Sequence, residues 1–130
     1  MRPITEIRTT FPDRKRAEAC AERLVAARVA ACVQIDGPVD SVYHWEGHDE
    51  RATEWRCTCK TTPDRGERCV ELIAASHPYG VPELLVSTVM ASDAYGAWVA
   101  STVAAADGHD RGDPGHERGD PGHERGDPAR

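Results

Sequence analysis

The stretch from Ala30 to Thr62 constrains this chain more than any other. It opens as AACVQID, breaks at Gly37-Pro38 and resumes as VDSVYHWEG. A polar run, HDERATE, then leads into WRCTCKTT. Val39, Ser41, Tyr43 and Trp45 fall on one side of an extended chain, with Val42 and His44 on the other. Trp55, Cys57 and Cys59 alternate with Arg56, Thr58 and Lys60. Period-two alternation rich in β-branched and aromatic residues predicts two strands. Gly47 to Thr53 is the only punctuation between them, so the two form one hairpin with its turn there. The first arm, Ala30 to Trp45, far exceeds the ~5–6 residues usual for a strand. A small domain cannot cover such arms, and their open N–H and C=O groups invite pairing with another chain. The hairpin therefore predicts an oligomer built on strand ends.

The remaining elements are shorter. Ile4 to Thr10 alternates and reads as a first strand. Pro12-Asp13 starts a helix, because Pro suits the first turn and Asp complements the positive helix end. Ala17, Cys20, Ala21, Leu24 and Val25 give that helix one apolar stripe of mostly small residues. Thr62-Pro63-Asp64 starts a second helix with Thr62 as N-cap; Cys69, Val70, Ile73 and Ala74 form its stripe. His77-Pro78 stops it, since the residue before Pro avoids the α region. Pro82 to Met90 reads as a fourth strand. Ser92-Asp93 caps a last helix with Tyr95, Trp98, Val99, Thr102 and Val103 on one face.

The order β-α-β-β-α-β-α predicts an α+β, ferredoxin-like sandwich with an extra C-terminal helix. Right-handed crossovers require the first two helices on one face of a four-stranded antiparallel sheet. The extra helix covers the open face of its own sheet or of a neighbour's.

Composition divides the chain in two. Hydrophobic residues make up 39%, but 107–130 has almost none. That segment repeats HERGDPG, holds three RGD triplets and carries seven acidic residues against four arginines, half of the net charge of −6. A repeat with no apolar payload predicts a disordered tail at 107–130 after a folded domain at 1–106. Neither part is basic, which argues against nucleic acid as a partner. No run approaches the ~18 apolar residues of a membrane span. The five cysteines are odd in number, none is spaced C-x-x-C, and MRPITEIRTT shows no apolar signal core. They read as reduced thiols of a cytoplasmic protein. An adhesion role for the RGD triplets would need extracellular exposure.

AACV, SVYHWEG, CKTT and HPYGVPELL resemble, in combination, the CutA family of divalent-cation tolerance proteins, over about Ile4 to Val103. The resemblance implies a ferredoxin-like subunit in a tight homotrimer paired through strand edges. A signalling role has been suspected for the family because trimeric PII-type proteins share its architecture. Copper binding is attributed to some relatives through a Cys at the end of the first strand and a His pair ahead of Pro-Tyr. The corresponding positions here are Thr9, Ser76 and His77, so one of three donors is retained. Gly80 stands where relatives often carry an acid.

Several side chains are candidates for chemistry. His77 ends a helix, where the dipole favours a protonated ring; the plain alternative is that it caps the helix carbonyls. Pro78 and Pro82 fix the chain around Tyr79, so a loop carrying His77, Tyr79 and Glu83 reads as a binding-site wall. Lys60 pairs with a carboxylate, Glu83 or Glu46, or takes a small anion. Trp45 sits too far along its strand to reach that loop within one chain, so a neighbour's hairpin must bring it there. The expected cleft is thus Trp45, Lys60, His77, Tyr79 and Glu83, from more than one subunit. His77 and Cys32 are the candidate metal ligands, with a divalent metal such as copper the only cofactor in view. Cys57 and Cys59 share a strand face and fill the core or chelate a soft metal; Cys20 and Cys69 lie on core stripes. No catalytic triad, P-loop or H-E-x-x-H is present. Three readings remain: a binding or signalling trimer linked to metal tolerance, an enzyme with a small substrate in the inter-subunit cleft, and a structural trimer that presents its tail.

Overall fold

The computed structural model describes residues 1–104; the repeat at 107–130, expected to be a disordered tail, lies outside them. The chain runs β1 (Arg2–Phe11), α1 (Arg14–Ala26), β2 (Cys32–Trp45), β3 (His48–Thr61), a 3-10 turn (Pro63–Arg65), α2 (Gly66–Ser76), β4 (Leu85–Ala91) and α3 (Asp93–Ala104). The strand order is β2-β3-β1-β4, and every neighbouring pair is antiparallel. This is the expected α+β, split βαβ arrangement.

Alternation along each strand sorts the side chains to two faces. Odd-numbered residues of β1 and β3 meet the helices: Ile7, Phe11, Cys57 and Cys59 share one buried cluster with Ala17, Cys20 and Leu24 of α1 and Cys69 and Ile73 of α2. Helix α1 starts with Asp13, whose side chain accepts from the Arg16 N–H at 2.8 Å, a cap worth about 1 kcal/mol. Even-numbered residues point the other way. There α3 packs Val99 and Val103 with Ala31, so the extra helix covers the open face of its own sheet.

The hairpin differs from expectation at its turn. Glu46 (φ 49°) and Gly47 (φ 83°) make a two-residue turn of the positive-φ kind that suits a twisted hairpin, and Trp45 pairs directly with His48. HDERATE is therefore strand, not turn. Its side chains as far as Thr53 are largely exposed on both faces, and a run with no buried face carries no alternation to read. Strand β1 stops at Phe11, opposite Trp55, so Val39 to Trp45 and His48 to Glu54 continue as a two-stranded ribbon. At ~3.3 Å per residue the ribbon projects ~20 Å. A bulge between Asp36 and Val39 bends β2 where it leaves the sheet. Gly37 is required there, because a Cβ would lie 2.7 Å from the Trp55 indole.

Two element starts also shift. Thr62 makes no side-chain cap bond, and the 3-10 turn intervenes before α2. Strand β4 begins at Leu85 rather than Pro82, because 77–84 is used to cross the end of β1. Both outer strands leave apolar groups in the open: Val42 on β2 is 66% exposed, and Val86 and Met90 on β4 are 59% and 56% exposed.

Candidate functional site

Strand β4 pairs with β1 only as far as Arg8, opposite Leu85, so 9–11 of β1 has a strand on one edge only. The segment after α2 fills the other edge. His77, set extended ahead of Pro78 (φ −74°, ψ 138°), lays its ring on Phe11 with centroids 4.4 Å apart and planes 15° from parallel. Its Nε2 lies 2.9 Å from the Thr10 carbonyl and 3.1 Å from Thr9 Oγ1. Its Nδ1 accepts the Tyr79 backbone N–H at 3.2 Å. An accepting Nδ1 places the ring proton on Nε2, which donates to the carbonyl. The ring is thus held as a neutral tautomer by β1 and Tyr79. The His77 backbone N–H meanwhile caps α2 on the Ala74 carbonyl at 3.5 Å, as the plain alternative expected, so the ring serves β1 and the loop while the main chain closes the helix.

Tyr79 carries the network to the other face of β1. Its buried ring is 5.1 Å from that of His77, and its hydroxyl donates to Glu54 Oε2 at 2.8 Å. Glu54 is 2% exposed, although it lies in the polar run read as a turn. The Ser41 hydroxyl donates to its Oε1 at 2.7 Å and the Thr10 hydroxyl to its Oε2 at 3.3 Å. A carboxylate only accepts, so three hydroxyl donors from β2, β1 and the loop suit it and offset the several kcal/mol that burying a charge costs. Sequence reasoning missed Glu54 because the groups that bury it come from distant parts of the chain. The one available signal was its place beside Trp55 at the start of an alternating run.

The other candidates are distributed. Glu83 is half-buried and lies near Arg56, whose guanidinium is held above its ordinary value mainly by the Asp36 carboxylate 2.9 Å away. Lys60 is on the α3 face, 3.0 Å from Gln34 Oε1 and 3.8 Å from Glu6 Oε2. Its carboxylate partner is thus Glu6, directly opposite in the β1–β3 register, rather than Glu83 or Glu46. Cys32 faces Lys60 across β2–β3 and lies near Tyr95, whose phenol is pushed up chiefly by burial and next by Cys32. Trp45 is at the ribbon tip, six residues of β3 beyond Glu54, or ~20 Å. One chain therefore joins His77 and Tyr79 to Glu54, places Lys60 with Cys32 elsewhere, and leaves Trp45 apart from both.

These residues do not make a preformed metal centre within one chain. Both ring nitrogens of His77 are engaged, and the Ser76 hydroxyl accepts from Arg23 at 2.6 Å. Among the described residues, no three His, Cys, Asp or Glu side chains are grouped to hold a metal ion. Among them, too, no helix is long and apolar enough to cross a membrane.

An α+β chain with this strand order has known relatives. The family model described as CutA1 divalent ion tolerance protein matches residues 6–102. The divalent-cation tolerance protein CutA of Escherichia coli is 34% identical over 95 residues, covering 72% of this chain and 85% of its own. The crystal structure of CutA1 from Ehrlichia chaffeensis superposes with a TM-score of 0.75 at 30% identity, over 79% of this chain and 97% of that one. CutA from Synechococcus elongatus gives 0.74 at 35% identity, over 79% and 92%. The chain belongs to the CutA1 family of divalent ion tolerance proteins.

Proposed function

We propose that this protein acts in divalent-cation tolerance as a cytoplasmic homotrimer with a binding or regulatory role. The observation that carries the reading is the His77–Tyr79–Glu54 network, which fixes a loop across an open strand end with His77 half-exposed. A rigid loop on a sheet end is a surface suited to a ligand. The trimer is supported by the two outer strands, by the apolar groups they expose, and by a ribbon whose tip, beyond Ser41 and Glu54, is largely exposed among the described residues. A neighbour's ribbon laid over the loop would bring Trp45 to Tyr79 and Glu83 and complete a shared cleft, whose ligand is a metal ion or a small anion. The cytoplasm is supported by five free cysteines; one relative of known structure, from Archaeoglobus fulgidus, is described as periplasmic. The buried Glu54–Tyr79 pair beside His77 favours a second reading, an enzyme acting on a small molecule in the same cleft.

Thermal unfolding with divalent metals and with anionic metabolites tests the reading, because a native-state ligand raises the midpoint by mass action. A rise with metals, lost in His77→Ala, supports the metal-response role. A rise with one metabolite class supports the enzyme reading. No rise with either removes the site. Tight Cu(II) binding under reducing conditions is not expected, since a single imidazole already engaged at both nitrogens is a poor copper donor.

A further inference from the structure

Helices α1 and α2 cover the same face of the sheet but are held at opposite ends. Helix α1 is bonded at its start, where the Asp13 side chain accepts from the Arg16 N–H at 2.8 Å and pairs with the Arg16 guanidinium at 2.6 Å. Helix α2 is bonded at its end. The Arg23 guanidinium donates to the Ser76 hydroxyl at 2.6 Å, and the His77 ring that follows is stacked on Phe11 and hydrogen-bonded to β1. At the start of α2, neither Thr62, ahead of the 3-10 turn, nor Arg65, ahead of the helix, makes a side-chain cap bond. Gly66 opens the helix, and only proline is a weaker helix former. Arg68 pairs with Glu71 at 3.2 Å, but both side chains are exposed and such a pair contributes little.

Beneath that start two hydroxyls are sealed in. Thr61 Oγ1 and Thr62 Oγ1 are buried and have no hydrogen-bond partner among the described residues. Thr61 is fully buried on the helix face of β3, opposite Thr5 in the β1–β3 register. Gly66 sits so close over Thr5 that a Cβ there would lie 3.3 Å from its Cγ2. A buried hydroxyl without a partner is disfavoured relative to a hydrated one. That cost falls on the closed state alone, because lifting the start of α2 from β1 and β3 lets water reach both groups. It therefore acts at the same end of the helix that lacks a cap.

We propose that residues 63–70 form a strap that lifts from the sheet and reseats as a unit, while 71–77 stay in place. The fully buried Ile73 and the contacts of Ser76 and His77 hold the fixed half. Cys69 rides on the moving half, so each opening brings to solvent a thiol that is 0% exposed in the closed form. Partial openings of this kind need less free energy than global unfolding. The strap works at the far end of α2 from His77 and is independent of what the loop binds.

The test is hydrogen exchange of the full chain, read residue by residue, beside alkylation of the native protein with N-ethylmaleimide. The backbone N–H groups of Cys69 and Val70 should exchange at least about tenfold faster than those of Ile73 to Ala75, and than those of Ala21 to Leu24 in α1. Cys69 should be alkylated before Cys20 and Cys57, each rate being divided by that of the same thiol in the guanidinium-unfolded chain. Thr61→Val replaces the sealed hydroxyl by a methyl group of the same shape, and should slow exchange at Cys69 and Val70 by about tenfold. Asp13→Ala removes the α1 cap, and should speed exchange in α1 by about fivefold while Cys69 and Val70 keep their rate, because the strap opens without α1. The wild-type rates already test the strap if a variant does not fold. Equal exchange along the whole of α2, alkylation of Cys69 no faster than that of Cys20, an unchanged rate in Thr61→Val, or a strap that speeds with α1 in Asp13→Ala would overturn the proposal.

Discussion

Tyr79→Phe removes one oxygen atom and isolates the network's central bond. The Phe ring keeps the contact with His77, so the change is confined to the hydroxyl that donates to Glu54 at 2.8 Å. Glu54 is 2% exposed, so the lost donor has no bulk water beside it to take its place. A hydrogen bond to a charged acceptor contributes about 1.5–3 kcal/mol, and the carboxylate falls from three hydroxyl donors to two. For an ordered region near this size a loss of 1 kcal/mol lowers the midpoint by about 4 °C at the small end, so the expected fall is about 6–12 °C. The assay is chemical and thermal unfolding at one fixed protomer concentration, since assembly links stability to concentration. Ser41→Ala, which removes the donor to the other oxygen, completes a double-mutant cycle, and two donors to one carboxylate should couple rather than add. A loss below about 0.5 kcal/mol for Tyr79→Phe, the size of an ordinary surface substitution, would refute the view that Glu54 anchors the loop.

Gly37→Ala should destabilise by about 1–3 kcal/mol, the usual cost of overpacking, because its Cβ would lie 2.7 Å from the Trp55 ring; an unchanged midpoint would contradict the close approach. Alkaline pH should destabilise through the buried thiols. Burial raises Cys20 from 9.0 to about 12 and Cys57 from 9.0 to about 11. Raised folded-state values mean that the stability is fully present below pH 9 and is lost as pH climbs towards those values. The slope is about 1.4 kcal/mol per pH unit for each thiol; Cys20→Ala should flatten the midpoint-against-pH curve, and an identical curve would contradict this. Truncation after Ala106 should leave the oligomer mass in light scattering and the unfolding midpoint nearly unchanged, and a large loss of either would contradict a tail without a structural role.

The sequence made the fold legible where periodicity is strong and one-sided. The α1 stripe of Ala17, Cys20, Ala21 and Leu24 and the alternation of Trp55, Cys57 and Cys59 each mark a buried face, and those faces meet in one core. Legibility failed where burial comes from far along the chain. His48 to Thr53 carries no buried face, so it read as a turn although Glu46 and Gly47 turn the chain alone. Glu54 is buried by Ser41, Thr10 and Tyr79, whose meeting depends on β4 stopping short at Arg8. Lys60 finds Glu6 through register, a property of two strands that neither segment states alone. Of the candidate site, the loop of His77 and Tyr79 was visible because two prolines frame it, whereas its anchor was not.

The central claim is that the loop forms a cleft with a neighbouring ribbon, and an experimental structure of the assembled protein tests it most directly. The account predicts three chains about a threefold axis, with Trp45 of each ribbon packed against the partner subunit's Tyr79 and close to the partner subunit's His77. A single chain at micromolar concentration, or a separation between those residues above ~15 Å, well beyond the ~5 Å between Cβ atoms of directly paired residues, would contradict it.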